Sequence, residues 1–157
     1  MPTKIKMKTA RFVYESATAM LTHRACGVSD VDVVGLVTQS VLRKLRDDLL
    51  RQAQRSTLAY CVNLQRAVVT VGVERMAQVC GNSPLGVSTA LVVRAESAGF
   101  FQSYANRMAE RGVGRRVFIA PSEGGKWAAA QAALARAQAA WIERQPTAGN
   151  RLLLSTG

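Results

Sequence analysis

The chain has 157 residues, 48% of them hydrophobic and 6% aromatic, enough for one domain with helical extensions and a core of Val, Leu and Ala. Twenty-one Lys and Arg stand against ten Asp and Glu, giving a net charge of +11 and a pI near 10.6. That excess favours a polyanionic partner, nucleic acid before acidic membrane. No apolar run is long enough to cross a bilayer, and the basic start lacks the apolar stretch of a signal peptide.

In chain order, residues 1–11 read as a basic arm with Lys4, Lys6, Lys8 and Arg11. Residues 10–26 have helix-compatible spacing, with Phe12, Val13, Ala17, Met20 and Leu21 on one side. Gly27 and Ser29-Asp30 look like a stop followed by an N-cap. Residues 31–55 then predict a long helix, because Val34, Val37, Val41, Leu42, Leu45, Leu49 and Leu50 recur at three- and four-residue intervals. A further helix is expected over 56–68, then a very short strand at Val68–Val71.

The stretch "MAQVCGNSPLGVSTALVVRAESAGFF", Met76 to Phe101, reads as two helices joined by a tight turn and running into a strand. Gly81 ends the first helix, Ser83 caps the second, and Pro84 fits its first turn. Val87, Ala90, Leu91 and Ala95 form a buried stripe. Leu85, Ser88, Thr89 and Arg94 lie on the opposite face, which would enter a DNA major groove. Apolar alternation at 100–104 and 115–120 predicts a hairpin whose loop region carries Arg107, Arg111, Arg115 and Arg116, placed to grip the minor groove or phosphates.

Residues 126–144 form an alanine-rich helix in which Trp127, Leu134 and Trp141 recur every seven residues, a narrow stripe suited to helix–helix packing. Three separated cysteines, Cys26, Cys61 and Cys80, indicate reduced thiols rather than a disulfide framework. With one histidine, His23, no metal site is expected. Neither a phosphate loop nor a carboxylate pair for acid–base chemistry is apparent, so an enzyme is not expected and no cofactor is assigned.

Met76-Ala77, Cys80-Gly81, Ser83-Pro84, Val87-Ser88, Leu91, Glu96, Gly99 and Phe100-Phe101 together resemble, without a gap, the winged helix–turn–helix of the MarR family of bacterial regulators. The resemblance spans about 56–140; the family's Asp-x-Arg in the wing is missing, with Gly112 and Gly114 near its place. It implies a mostly α fold with a small β-hairpin wing, flanked by long dimerisation helices. The segments would be a basic arm and short helix (1–28), a dimerisation helix (29–55), the winged DNA-binding domain (56–125) and a C-terminal dimerisation helix and tail (126–157).

The implied function is a homodimeric, sequence-specific transcriptional repressor in the cytoplasm, associated with the nucleoid. Its recognition helix would contact double-stranded DNA through Ser83, Pro84, Leu85, Ser88, Thr89 and Arg94, and its wing through Arg107, Arg111, Arg115 and Arg116. Trp127, Leu134 and Trp141 would form the dimer seam, and an unidentified small molecule would act as effector. Two alternatives are a plasmid or phage replication, partition or packaging factor, and a winged helix used only for protein contact.

Overall fold

The structure is a computed structural model and describes residues 8–52, 57–81 and 87–145. Its N-terminal part is built on a period of two. In Ala17–His23, Ala17, Ala19 and Leu21 are buried while Thr18, Met20 and Thr22 take the other face. Val28–Val37 alternates likewise, Val31 and Val33 inward against Asp30 and Asp32 outward. Lys8–Val13 (β1), Ala17–His23 (β2) and Val28–Val37 (β3) therefore form an antiparallel meander. The helices expected over 10–26 and from residue 31 are corrected: β-branched residues in strict alternation outweigh the helix-like spacing of Val34, Val37 and Val41. Gly35 fixes the geometry, since its φ is +112° and a Cβ there would stand 2.5 Å from the Ser16 carbonyl oxygen of the adjoining segment.

The switch to a helical period occurs at Thr38, whose hydroxyl accepts the Val41 N–H at 3.3 Å. Gln39–Gln52 (α1) then buries Val41, Leu42, Leu45 and Leu49. Ala59–Val69 (β4) runs parallel to β3 over 11 residues, where a helix and a short strand were expected. Val73–Gly81 (α2) coincides with the first helix of the expected pair.

The second does not form within the described residues. Ser88–Val92 (β5) is a strand parallel to β4, with Ala90, Leu91, Val92 and Val93 buried on both faces. A short, continuous apolar run of this kind marks an interior parallel strand. After a 3₁₀ turn at Ala95–Ser97 comes Ala98–Glu110 (α3), a helix where the first wing strand was expected. Arg115–Phe118 (β6) pairs parallel to β5, so the expected wing hairpin does not form among the described residues. Pro121–Glu143 (α4) is the last described element.

The six strands lie in sequence order, β1 to β6. Crossovers repeated with one hand and one direction place their helices on a common face, and α1, α2 and α3 share one core with Met76, Phe101, Tyr104 and Met108. α4 lies on the opposite face, where Gly124, Ala128 and Ala132 meet Val28, Ala59, Ala90 and Val92. A Cβ on Gly124 would approach Val92 Cγ2 to 2.7 Å, so the missing side chain sets how closely the helix lies. The mostly α winged-helix architecture is thus replaced by an α/β fold, and its four expected segments all contribute to one sheet or its covering helices.

Candidate functional site

The outer face of the sheet, which α4 only partly covers, concentrates the unusual surface chemistry. Between α4's first turns and strands β2–β5 lies a cleft of about 710 Å³, lined by Thr22, Arg24, Asp30, Asp32, Asn63 and Lys126. Asp30 and Asp32 point there because each alternates with an inward valine on β3. Arg24 pairs with Asp30: a terminal nitrogen donates to Oδ1 at 3.2 Å, while Nε lies 2.7 Å from Oδ2 without the geometry of a hydrogen bond. Burial pushes the Asp30 carboxyl above the ordinary range, with Arg24 pulling it back only in part. Arg66 donates to Asp32 Oδ2 at 2.5 Å, while Asp32 Oδ1 is buried without a hydrogen-bond partner among the described residues.

Beside this cleft the same face is open and apolar. In register, Leu36 stands next to Val68 and Thr18 next to Val34, and Leu36, Val68, Val34 and Met20 are all exposed. α4 adds a second apolar surface. Its buried stripe is Gly124, Ala128 and Ala132; beyond Ala135 every residue of the helix is exposed. Some eight residues, about 12 Å of helix, therefore project past the sheet. They carry Trp141 at 59% exposure and Ile142 at 60%, with Leu134 at 53% two turns nearer the body. Arg136 and Arg144 flank them and form no ion pair among the described residues.

The residues expected to hold DNA are dispersed. Ser83, Pro84 and Leu85 lie outside the described residues. Ser88 is in β5 and donates to Gln131 of α4 at 3.3 Å, while Thr89 is buried and donates to the Val87 carbonyl. Arg94 follows β5 and pairs with Glu96. Arg107 on α3 is held by Glu74 and Glu110. Arg111 caps the end of α3 and donates to the Ala77 carbonyl at 3.0 Å. Arg115 faces the α1–α3 core and donates to the Val87 carbonyl, and Arg116 lies over the Phe118 ring on the other face.

Among the described residues, these side chains form neither a recognition helix nor an arginine-tipped ribbon. Trp127 packs against Phe118 within its own chain, whereas Leu134 and Trp141 are free surface. The seven-residue stripe thus divides between an internal contact and an exposed one.

The Arg24–Asp30 and Asp32–Arg66 pairs and exposed Ile142 were not singled out from sequence. The alternating run Val28 to Val34 was the available signal, since it puts both aspartates on one strand face.

No protein-family model matches the chain, and no curated protein matches it. One solved structure similar to it is described as an anti-sigma factor antagonist from Mycobacterium paratuberculosis. The likeness has a TM-score of 0.50 at 12% identity and covers 74% of this chain and 97% of that one. It is a likeness of fold. Together with the six-stranded sheet it overturns the MarR resemblance, the winged-helix fold, the DNA-bound homodimeric repressor and the replication or packaging alternative. Among the described residues, no helix is long and apolar enough to cross a membrane.

Proposed function

We propose that this chain is a non-catalytic regulatory module that acts by binding another protein through the projecting end of α4. The observation that carries the reading is the helix end itself: Leu134, Trp141 and Ile142 are more than half exposed on a segment that leaves the sheet behind. Large apolar side chains on an unpartnered helix are what a groove on a second protein covers, and tryptophan is the commonest residue to dominate such contacts. The chain's charge of +11, with Arg136 and Arg144 beside the apolar stripe, selects a partner whose groove is rimmed by acidic residues.

The fold likeness supports a protein-directed role, since that protein is described as antagonising an anti-sigma factor. By that analogy the partner here is itself a regulator. The fold alone names no function. We place the protein in the cytoplasm on its three free thiols, Cys26, Cys61 and Cys80.

A photo-crosslinking residue in place of Trp141, with the same residue in place of Gln102 on α3 as control, tests the reading in cells. The expected product is a distinct acidic protein captured from position 141 and not from 102. Purified, that protein binds the chain, and the double substitution Trp141→Ser, Ile142→Ser weakens binding roughly tenfold or more. A crosslink only to a second copy of this chain, or purified binding unaffected by the substitutions, overturns it.

A further inference from the structure

On the opposite side of the sheet from α4's contact, between the strands and α1–α3, lies a cavity of about 90 Å³. Leu42, Leu45, Leu49, Val62, Met76 and Leu91 supply an apolar wall. Its polar groups are arranged by strand register. Tyr60 of β4, Thr89 of β5 and Arg115 of β6 stand side by side in one row on the same face. Strands spaced about 4.8 Å apart put the backbones of Tyr60 and Arg115 roughly 10 Å from each other. Thr89 between them is short, and its hydroxyl turns back to the Val87 carbonyl. The two long side chains therefore converge over it.

Tyr60 lacks any hydrogen-bond partner among the described residues, and Arg115 lacks an ionic one. Tyr60 is 3% exposed, and its hydroxyl finds no hydrogen-bond partner among the described residues. A buried donor in that state is destabilising and calls for an acceptor. Arg115 is half-buried and has no carboxylate partner among the described residues; one terminal nitrogen makes long bonds of 3.3 Å to the Val87 and Gly114 carbonyls, and the Tyr104 hydroxyl lies beside the guanidinium. Arg46, the other cation on the wall, is already held by Asp47 and the Val79 carbonyl. Burial raises the Tyr60 hydroxyl to about 12, so it stays a proton donor at neutral pH. The Cys80 thiol, next to Tyr104, is likewise held in its neutral form by burial.

We propose that this cavity binds a short-chain aliphatic carboxylate, its head group forked by Arg115 and hydrogen-bonded by Tyr60, its tail among the α1 leucines. A guanidinium without a carboxylate partner among the described residues and a lone hydroxyl donor at the polar end define an anionic acceptor, and the carboxylate geometry suits the guanidinium fork. The apolar wall defines the rest. A cavity of about 150 Å³ lined by apolar side chains holds benzene. By the same scale the smaller space here is filled by roughly three or four non-hydrogen atoms, the tail of a four-carbon acid, which leaves the head group at the half-exposed Arg115. The site is independent of the α4 surface, so either proposal can fail alone.

Butyrate titrated into the full chain is the probe, with butyramide and butylamine as neutral and cationic isosteres. Binding is followed by isothermal calorimetry and by amide NMR shifts of Tyr60, Leu91 and Arg115. Butyrate is expected to bind and raise the melting temperature, with both isosteres roughly tenfold weaker or worse. Tyr60→Phe keeps the ring and the packing, and is expected to weaken butyrate about tenfold. Arg115→Gln is expected to weaken it at least as much. No response to butyrate at millimolar concentration overturns the proposal. So does equal binding of the isosteres, or full affinity in a folded Tyr60→Phe protein.

Discussion

On one face of the sheet, leucine, valine, methionine and aromatic side chains from three helices interlock in a single core; on the other, one alanine-rich helix lies along a strip of alanine and valine. Met108 and Val41 are fully enclosed on the first face, beside the 90 Å³ cavity. The second face uses Gly124, Ala128 and Ala132, residues with almost no side chain to bury. Apolar burial scales with area removed from water. The first face therefore carries most of the stability, and the second is left thin enough to present surface.

The largest expected effect tests that division directly. Met108→Ala removes a fully buried side chain from the centre of the α1–α3 core, and about 2–5 kcal/mol of unfolding free energy should go with it. Urea unfolding monitored by circular dichroism measures it. A loss below about 1 kcal/mol would mean that the two faces contribute more evenly than their packing indicates.

Ala128→Leu is the matching change on the thin face. Ala128 is fully enclosed between α4 and the sheet, so the added carbons force the helix outward at about 1–3 kcal/mol. In a Trp141→Phe background, Trp127 reports the event, because it packs against Phe118 and its emission shifts red when the helix lifts. The expected outcome is a displaced α4 on an intact sheet, with the amide spectrum of α1–α3 unchanged. Collapse of both faces together would show that α4 belongs to the same cooperative unit.

A still smaller effect is expected at α4's free end. Trp141→Ser and Ile142→Ser each change stability by no more than about 0.5 kcal/mol, since both side chains are already exposed. A larger loss in the isolated chain would mean that something in the chain itself covers the stripe, against the proposal of a partner protein.

The same contrast explains what the sequence disclosed. α4 was legible because alanine makes a helix with or without a partner, and α2 because Met76, Ala77 and Gly81 carry both a face and a stop. The strands were hidden by an accident of spacing. In Val31–Val41, valines at 31 and 33 follow the strand period while those at 34, 37 and 41 also fit a helix, and only Gly35 and Thr38 mark where one gives way to the other.

Thr89-Ala90-Leu91-Val92-Val93 was open to the same confusion, and the glycine and serine-proline before it made the helical reading the more familiar one. Of the sites, the exposed Leu134 and Trp141 were visible as a stripe. The Tyr60, Thr89 and Arg115 row was not, because its members are 26 and more residues apart and meet only through strand register.

The smallest prediction concerns the polar part of the thin face. Burial raises the Asp30 carboxyl and outweighs the opposing pull of Arg24. An acid whose pKa is higher folded than unfolded binds more protons in the folded state between the two values. Stability from this group is therefore present at low pH and lost as pH climbs from the ordinary 3.8 through the raised value. Asp30→Asn removes that loss, so the natural chain should fall relative to the variant across this window and run parallel to it above. Urea midpoints of the two proteins at closely spaced pH values give the difference curve. The opposite slope, with the natural chain gaining on the variant as pH rises, would mean that the Arg24 pairing outweighs desolvation. The outer cleft would then be held together by its charges, and the two faces of the sheet would differ in kind of stabilisation as well as in amount.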